Sequence, residues 1–246
     1  MTDGEAAPVL SIYKDLLSVQ VHDTAADRLT HRRATLPESA RLAAVADALV
    51  TVEVSLAEAV ERRDAAARVQ RQLEDEMANV EDKIKGLDAR LYSGEVTVVR
   101  ELQAMQADTE SLRRRHSALE DEVLEAMSVR EPIDEEVQAL EKERARLDDE
   151  GVELRAAIAE AQAGIDAELA NETTARAETA ARVPTDLLAL YERIRANEDG
   201  IGAAPLVNGR CGGCHLTLPA TELDRMKREP PDALVTCEQC GRVLVR

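Results

Sequence analysis

The chain has 246 residues, of which 1% are aromatic and 33% charged, with neither Trp nor Phe and a formal net charge of -18. So little bulky side chain excludes a thick globular core, and so acidic a surface excludes phosphate binding along most of the length, because that binding draws on cations. A thin helical seam filled by aliphatic residues and alanine satisfies both constraints.

From Val9 to about Arg33 the residues Val9, Leu10, Ile12, Tyr13, Leu16, Leu17 and Val19 make a wide apolar stripe. Such a helix needs more than one neighbour. Pro37, between Leu36 and Glu38, should end it and let the next begin. From about Glu38 to Leu91 apolar residues then step by alternating threes and fours, from Leu42, Val45, Leu49 and Val52 through Ala59, Arg63, Ala66 and Gln70 to Ile84, Leu87 and Leu91. The same stepping resumes at Leu102, Met105, Thr109 and Leu112, and runs through His116, Leu119, Val123, Ala126, Arg130, Val137, Arg144 and Leu147 to Ile158 and Ala161. A mean period of about 3.5 sustained this long marks a coiled-coil seam.

Between the two runs lies Tyr92-Ser93-Gly94-Glu95-Val96-Thr97, where glycine permits a turn that other residues resist. Two seams joined by so short a link fold back on each other, which predicts an antiparallel hairpin with its tip at 92–97. The returning arm, from about Val99 to Arg182, outlasts the first and should pair with the opening helix beyond Pro37. Pro132 leaves the seam in phase and predicts a kink in place of a stop. Arg63, Arg130 and Arg144 weaken the seam, either fixing register or marking a flexible segment. His116 reads as a seam residue, since no further ligand type accompanies it. The alanine-rich stretch 156–181 should be the least tightly packed.

Acidic triplets such as Glu74-Asp75-Glu76 and Glu120-Asp121-Glu122 are the solvated flanks of the helices. No apolar run approaches the roughly 20 residues of a membrane span, and the first residues lack the pattern of a secretory signal. The expectation is a cytoplasmic protein, for which the sequon Asn171-Glu172-Thr173 is a chance match. Clustered cysteines in that compartment bind metal more often than they form disulfides.

A short amphipathic helix over 184–197, carrying Leu187, Leu188, Leu190, Tyr191 and Ile194, ends in the glycine-punctuated linker Asn197 to Gly202. The composition then shifts from helix formers to Gly, Pro, Val and Cys. This divides the chain into a helical part, 1–202, and a small module, 203–246.

All four cysteines lie in that module, as Cys211-Gly212-Gly213-Cys214 and Cys237-Glu238-Gln239-Cys240, with 22 residues between the pairs. Each Cys-x-x-Cys can bend both sulfurs to one ion at about 2.3 Å, and two such pairs complete a tetrahedron. Gly212, Gly213 and Gly241 supply backbone freedom for the knuckle turns. Strand-like pieces at 206–207, 216–218, 233–236 and 242–245 flank the pairs, and Thr221 to Arg228 reads as a short helix or turn closed by Pro230-Pro231. Two knuckles on two hairpins make a C4 zinc ribbon holding one structural Zn2+, which lets about 42 residues fold without a large core.

Three other readings of these cysteines compete. Cys211 to His215 matches a c-type haem attachment, yet that leaves the second pair unexplained. A thioredoxin-like pair needs a βαβ setting. Catalytic zinc needs an open position that four thiolates close. His215 is an alternative ligand, though a bystander role suits it better.

Over nearly its full length the chain resembles the bacterial family of coiled-coil proteins with a C4-type zinc ribbon. Leu91-Tyr92-Ser93-Gly94-Glu95-Val96, Arg100-Glu101-Leu102-Gln103-Ala104-Met105 and Pro184 through Arg246 carry the resemblance. It implies a C4 zinc site on Cys211, Cys214, Cys237 and Cys240, and a role in binding nucleic acid or regulatory proteins, transcriptional and flagellar in some members. The preference for Arg over Lys and the abundance of Ala suggest a GC-rich, actinobacterial genome.

The expected function is a non-enzymatic adaptor whose hairpin holds protein partners while the ribbon meets a regulatory protein, RNA or DNA. Neither a membrane nor a small-molecule substrate is implied, and no nucleotide-binding loop or nucleophile with its base is visible. Candidate contacts are Arg210, Arg225, Lys227, Arg228, Arg242 and Arg246. Arginine serves phosphate and carboxylate alike, and the ribbon has no aromatic residue for stacking bases. The competing reading is a structural spacer in which the ribbon caps the open end of the hairpin.

Overall fold

The computed structural model describes residues 6–230 and 233–246, with side chains described from residue 12 onward, so Val9, Leu10 and Pro231 lie outside the described side chains. Eight elements follow in order: α1 (Ala6–Ala34), α2 (Pro37–Tyr92), α3 (Val99–Ala180), α4 (Thr185–Asn197), β1 (Ala203–Val207), β2 (Arg210–Cys211), α5 (Ala220–Arg228) and β3 (Val243–Val245). The fold is mainly α, a long helical hairpin with a small C-terminal sheet. It divides into two compact units, residues 41–154 and residues 1–40 with 155–246.

Within 41–154, α2 and α3 run antiparallel, as the pairs Arg62–Glu136 at 2.8 Å and Arg113–Asp88 at 2.9 Å require. Each named seam residue is buried or half-buried, with Val45, Ala59, Met105, Leu119, Val137 and Leu147 among the most enclosed. Arg144 is the exception. It is exposed and reaches Asp148 at 3.8 Å, while Glu143 occupies the half-buried step between Leu140 and Leu147. Gln70 and Arg130 meet in the seam through a 3.0 Å hydrogen bond. At the tip Gly94 takes φ 79°, and the Ser93 hydroxyl donates to the Arg90 carbonyl at 2.9 Å. Residues 95–98 are irregular, and α3 then continues through Pro132 without interruption.

In the other unit Pro37 stands at the first position of α2, where its missing N–H costs nothing. The apolar stripe of α1 has the several neighbours that its width demands. Leu16 and Val19, both 0% exposed, share a core with Val183 after α3, Tyr191 of α4, Ala203 of β1 and Val243 of β3. The alanine-rich end of α3 lies beside α1, and few of its side chains are buried. Ile165 and Thr179 are buried there, and Arg33 pairs with Asp166 at 2.8 Å.

A polar network runs through this core. Asp23 accepts from Arg176 Nε at 2.6 Å and from the Tyr191 hydroxyl at 2.7 Å, with Arg195 at 3.6 Å. Arg195 also donates to both oxygens of Asp27, at 2.7 and 2.8 Å, and Arg176 pairs with Glu192. Burial, with help from Asp23, holds the Tyr191 hydroxyl above its ordinary range. Removing Asp23 should strand a buried hydroxyl and an arginine. Urea unfolding is expected to show Asp23→Ala losing about 3 kcal/mol and Tyr191→Phe only about 1 kcal/mol; equal losses would mean that the carboxylate has no partner besides the tyrosine.

Candidate metal centre

Two turns present the four sulfurs. In the first, the Cys211 N–H donates to the Leu216 carbonyl at 3.0 Å and the His215 N–H to the Cys211 carbonyl at 2.9 Å. In the second, the Cys237 N–H donates to the Arg242 carbonyl at 2.9 Å and the Gly241 N–H to the Cys237 carbonyl at 2.7 Å. The residue that must take positive φ is Gly241 at 70° in one turn and His215 at 60° in the other. His215 is thus a backbone element of its knuckle and exposed.

Gly212 and Gly213 are needed for space. A Cβ on Gly212 would lie 2.9 Å from the Pro205 carbonyl, and one on Gly213 would lie 2.5 Å from Cδ of Arg242. The sheet has the order β2-β1-β3, with β1 antiparallel to β2 and parallel to β3. Of the expected strands, 216–218 and 233–236 contribute only single bridges, Arg210 with Thr217 and Thr236 with Val243. The knuckle turns use these residues to close on themselves, leaving no length for a ladder.

The four sulfurs lie within 4.8 Å of one another, with Cys211–Cys240 and Cys214–Cys237 each at 3.9 Å. Thiolates about 2.3 Å from one ion have tetrahedral edges of about 3.8 Å, so this donor set fits a four-sulfur metal site. Cys211 and Cys237 are buried, Cys214 and Cys240 half-buried, inside a core with Ala204, Leu218, Met226, Val235 and Leu244. Burial pushes the Cys237 thiol up to about 12 and raises Cys211 as well. Burial acts the same way on Cys240, but the backbone and guanidinium of Arg242 and the neighbouring thiols outweigh it and bring Cys240 below its ordinary value. A bound cation would favour the thiolate at all four.

The six basic residues expected at the surface do not form one cluster of free cations. Arg242 is a correction: its side chain is 7% exposed and donates to the carbonyls of Ile201 at 2.9 Å and Glu198 at 2.8 Å. It passes the first knuckle where Gly213 leaves room, and so fastens the ribbon to the linker. Arg210 donates to the His215 carbonyl at 2.9 Å, and Arg246 to the carbonyls of Met226 and Pro230. Arg225 pairs with Glu238 at 2.9 Å and Lys227 with Asp224 at 3.5 Å. Arg228 is exposed.

Two further residues hold the site, and neither announces itself in the sequence. Gln20 of α1 accepts from the N–H groups of Gly202 at 2.7 Å and Ala203 at 3.3 Å, and donates to the Gly200 carbonyl at 3.0 Å. Glu222 of α5, 4% exposed, accepts from the Glu238 N–H at 3.4 Å, inside the second knuckle.

Residues 19–199 match the family model of the CT398-like coiled coil hairpin domain, and residues 210–244 match that of the C4-type zinc ribbon domain. The chain is 28% identical over 239 residues to the protein Rv2229c of Mycobacterium tuberculosis, covering 95% of this chain and 94% of that one. A solved structure from Mycobacterium smegmatis is similar at 27% identity and TM-score 0.66, covering 96% and 98% of the two chains. The fold is shared with CT398 from Chlamydia trachomatis, at 19% identity and TM-score 0.61 over 97% and 98%. The mycobacterial relatives agree with the actinobacterial character of the composition.

Chelation of the metal from purified protein should remove amide protection from 203–246 while leaving the helical far-UV signal nearly intact, as read by hydrogen exchange and circular dichroism. Gln20→Ala leaves two buried N–H groups unanswered. It should cost about 1–3 kcal/mol and speed exchange at Gly202 and Ala203; unchanged exchange there would remove Gln20 from this role.

Proposed function

The chain belongs to the CT398-like coiled coil hairpin family, and we propose on that footing that it is a non-enzymatic adaptor whose ribbon, closed by one structural Zn2+, meets a regulatory protein. Four thiolates fill a zinc shell and leave no position for a substrate or an activated water. Reduced thiols suit the cytoplasm, where such sites replace disulfides. Among the described residues no helix is long and apolar enough to cross a membrane.

The observation that carries the reading is the surface beside the first knuckle. Val207 and Leu216 are 53% and 52% exposed, and Arg210, the register partner of Val207, is held in place by the His215 carbonyl. Exposed aliphatic residues around an arginine whose position is fixed are the composition of a protein contact. Phosphate recognition would draw on free cations, whereas Arg242 is buried and Arg225 and Lys227 face carboxylates. The hairpin serves as a second partner-binding surface.

A pull-down with nuclease present is the test. Partner protein retained by the intact chain should be lost with Cys237→Ser and with Leu216→Asp, and unaffected by nuclease. Capture that nuclease abolishes, and that falls steeply with salt, would replace a protein by nucleic acid as the ligand.

A further inference from the structure

Residues that flank the seam of a coiled coil ordinarily carry the ion pairs between helices. One flank of the 41–154 unit passes at intervals of seven through positions 62, 69 and 76 of α2 and positions 136, 129 and 122 of α3. At one end Arg62 pairs with Glu136 at 2.8 Å. At the other, Arg115 reaches Glu76 at 3.3 Å and Glu122 at 2.9 Å. Midway, where the repeat calls for a third ion pair, stand Val69 and Val129, 53% and 56% exposed.

The seam beneath them is thin. Ala66 and Ala126 are small, and Gln70 and Arg130 spend the adjoining layer on a hydrogen bond. The result is an open groove of about 470 Å3, lined by these alanines, the two valines and Leu73, with Glu122 and Glu125 at its edge.

We infer that this groove seats an amphipathic helix of a partner protein, with an aliphatic stripe and Lys or Arg beside it. The inference deepens the reading of the hairpin as a partner-binding surface and is independent of what the ribbon meets. The two ion-pair stations stand 14 positions apart on α2, about 21 Å or four turns, enough for three or four side chains at helical spacing. A third helix laid there would cover the valines and add the bulk that the alanines lack. The occupant's sign follows from charge. The edge is acidic and the chain carries -18, so a second copy of the chain would bring like charge to like, whereas a basic helix finds complementary charge at Glu125, Glu122 being already paired with Arg115.

The probe is a synthetic helical peptide of about 18 residues, with leucines at alternating three- and four-residue steps and lysines flanking them, beside a control with glutamates for lysines. Fluorescence anisotropy with the full metal-loaded chain should show saturable one-to-one binding of the lysine peptide, roughly tenfold tighter than the control. Val69→Gln with Val129→Gln should weaken it roughly tenfold without altering the far-UV spectrum or the urea midpoint, and Glu125→Gln by a few-fold. Cys237→Ser should leave the peptide's affinity unchanged, so a failure of the ribbon reading is seen separately. Equal binding to the double variant would reduce the effect to general charge attraction and overturn the inference. So would absence of binding, or self-association of the chain that the double variant abolishes.

Discussion

A backbone N–H taken out of water without an acceptor costs about 1–3 kcal/mol, and the passage from α4 into β1 buries two in succession. Gln20 answers both with one side-chain carbonyl and turns its amide to the Gly200 carbonyl. From the other side Arg242 closes on the carbonyls of Glu198 and Ile201. The linker is thus held between a residue of the first helix and a residue of the last knuckle. Tyr191 packs so tightly against Gly202 that an added Cβ would lie 2.6 Å from its ring. The ribbon is therefore seated on helices, and its small sheet does not carry the site alone.

This seating explains how a chain with almost no aromatic residues supports the site. Tyr191 is 0% exposed and joins Leu16 and Val19 under β1 and β3, concentrating bulky burial beneath the metal centre. The 41–154 unit is built on a leaner principle. Its layers are single side-chain steps, mostly aliphatic or alanine with Gln70, Thr109 and Arg130 among them, and its ion pairs are mostly solvent-exposed, where each contributes little. Length, repeated layer upon layer, replaces depth of core.

The seam was legible in the sequence because period carries the information: a face that repeats every three or four residues can bury only itself. Where apolar residues run out, the count loses its guide. Between Leu140 and Leu147 a step of three or of four serves equally well on paper, and the chain uses Glu143 where Arg144 is an equal candidate. The cysteine cluster was legible through its spacing, since Cys-x-x-Cys dictates its own turn. Gln20, Asp23 and Glu222 were not, because a buried polar residue is recognisable only from a partner that lies, for Gln20, some 180 residues away. Arg242 misled for the same reason: a charge in a sequence looks like surface until the carbonyls it serves are known. The strands expected at 216–218 and 233–236 reduce to single bridges, since alternation in so short a module also serves the turns that gather the four sulfurs.

The parallel pairing of β1 with β3 sets Ala203 beside Val243, with Leu16 of the first helix in the same core. Closing that contact joins positions more than two hundred residues apart, and loop closure makes such joins slow relative to those near a turn. The arms meeting across Gly94 can zip inward from neighbours only a few residues distant. Loop-closure entropy therefore favours one direction of assembly, with the fold line set first and the knot tying the opening helix to the closing strand drawn tight last.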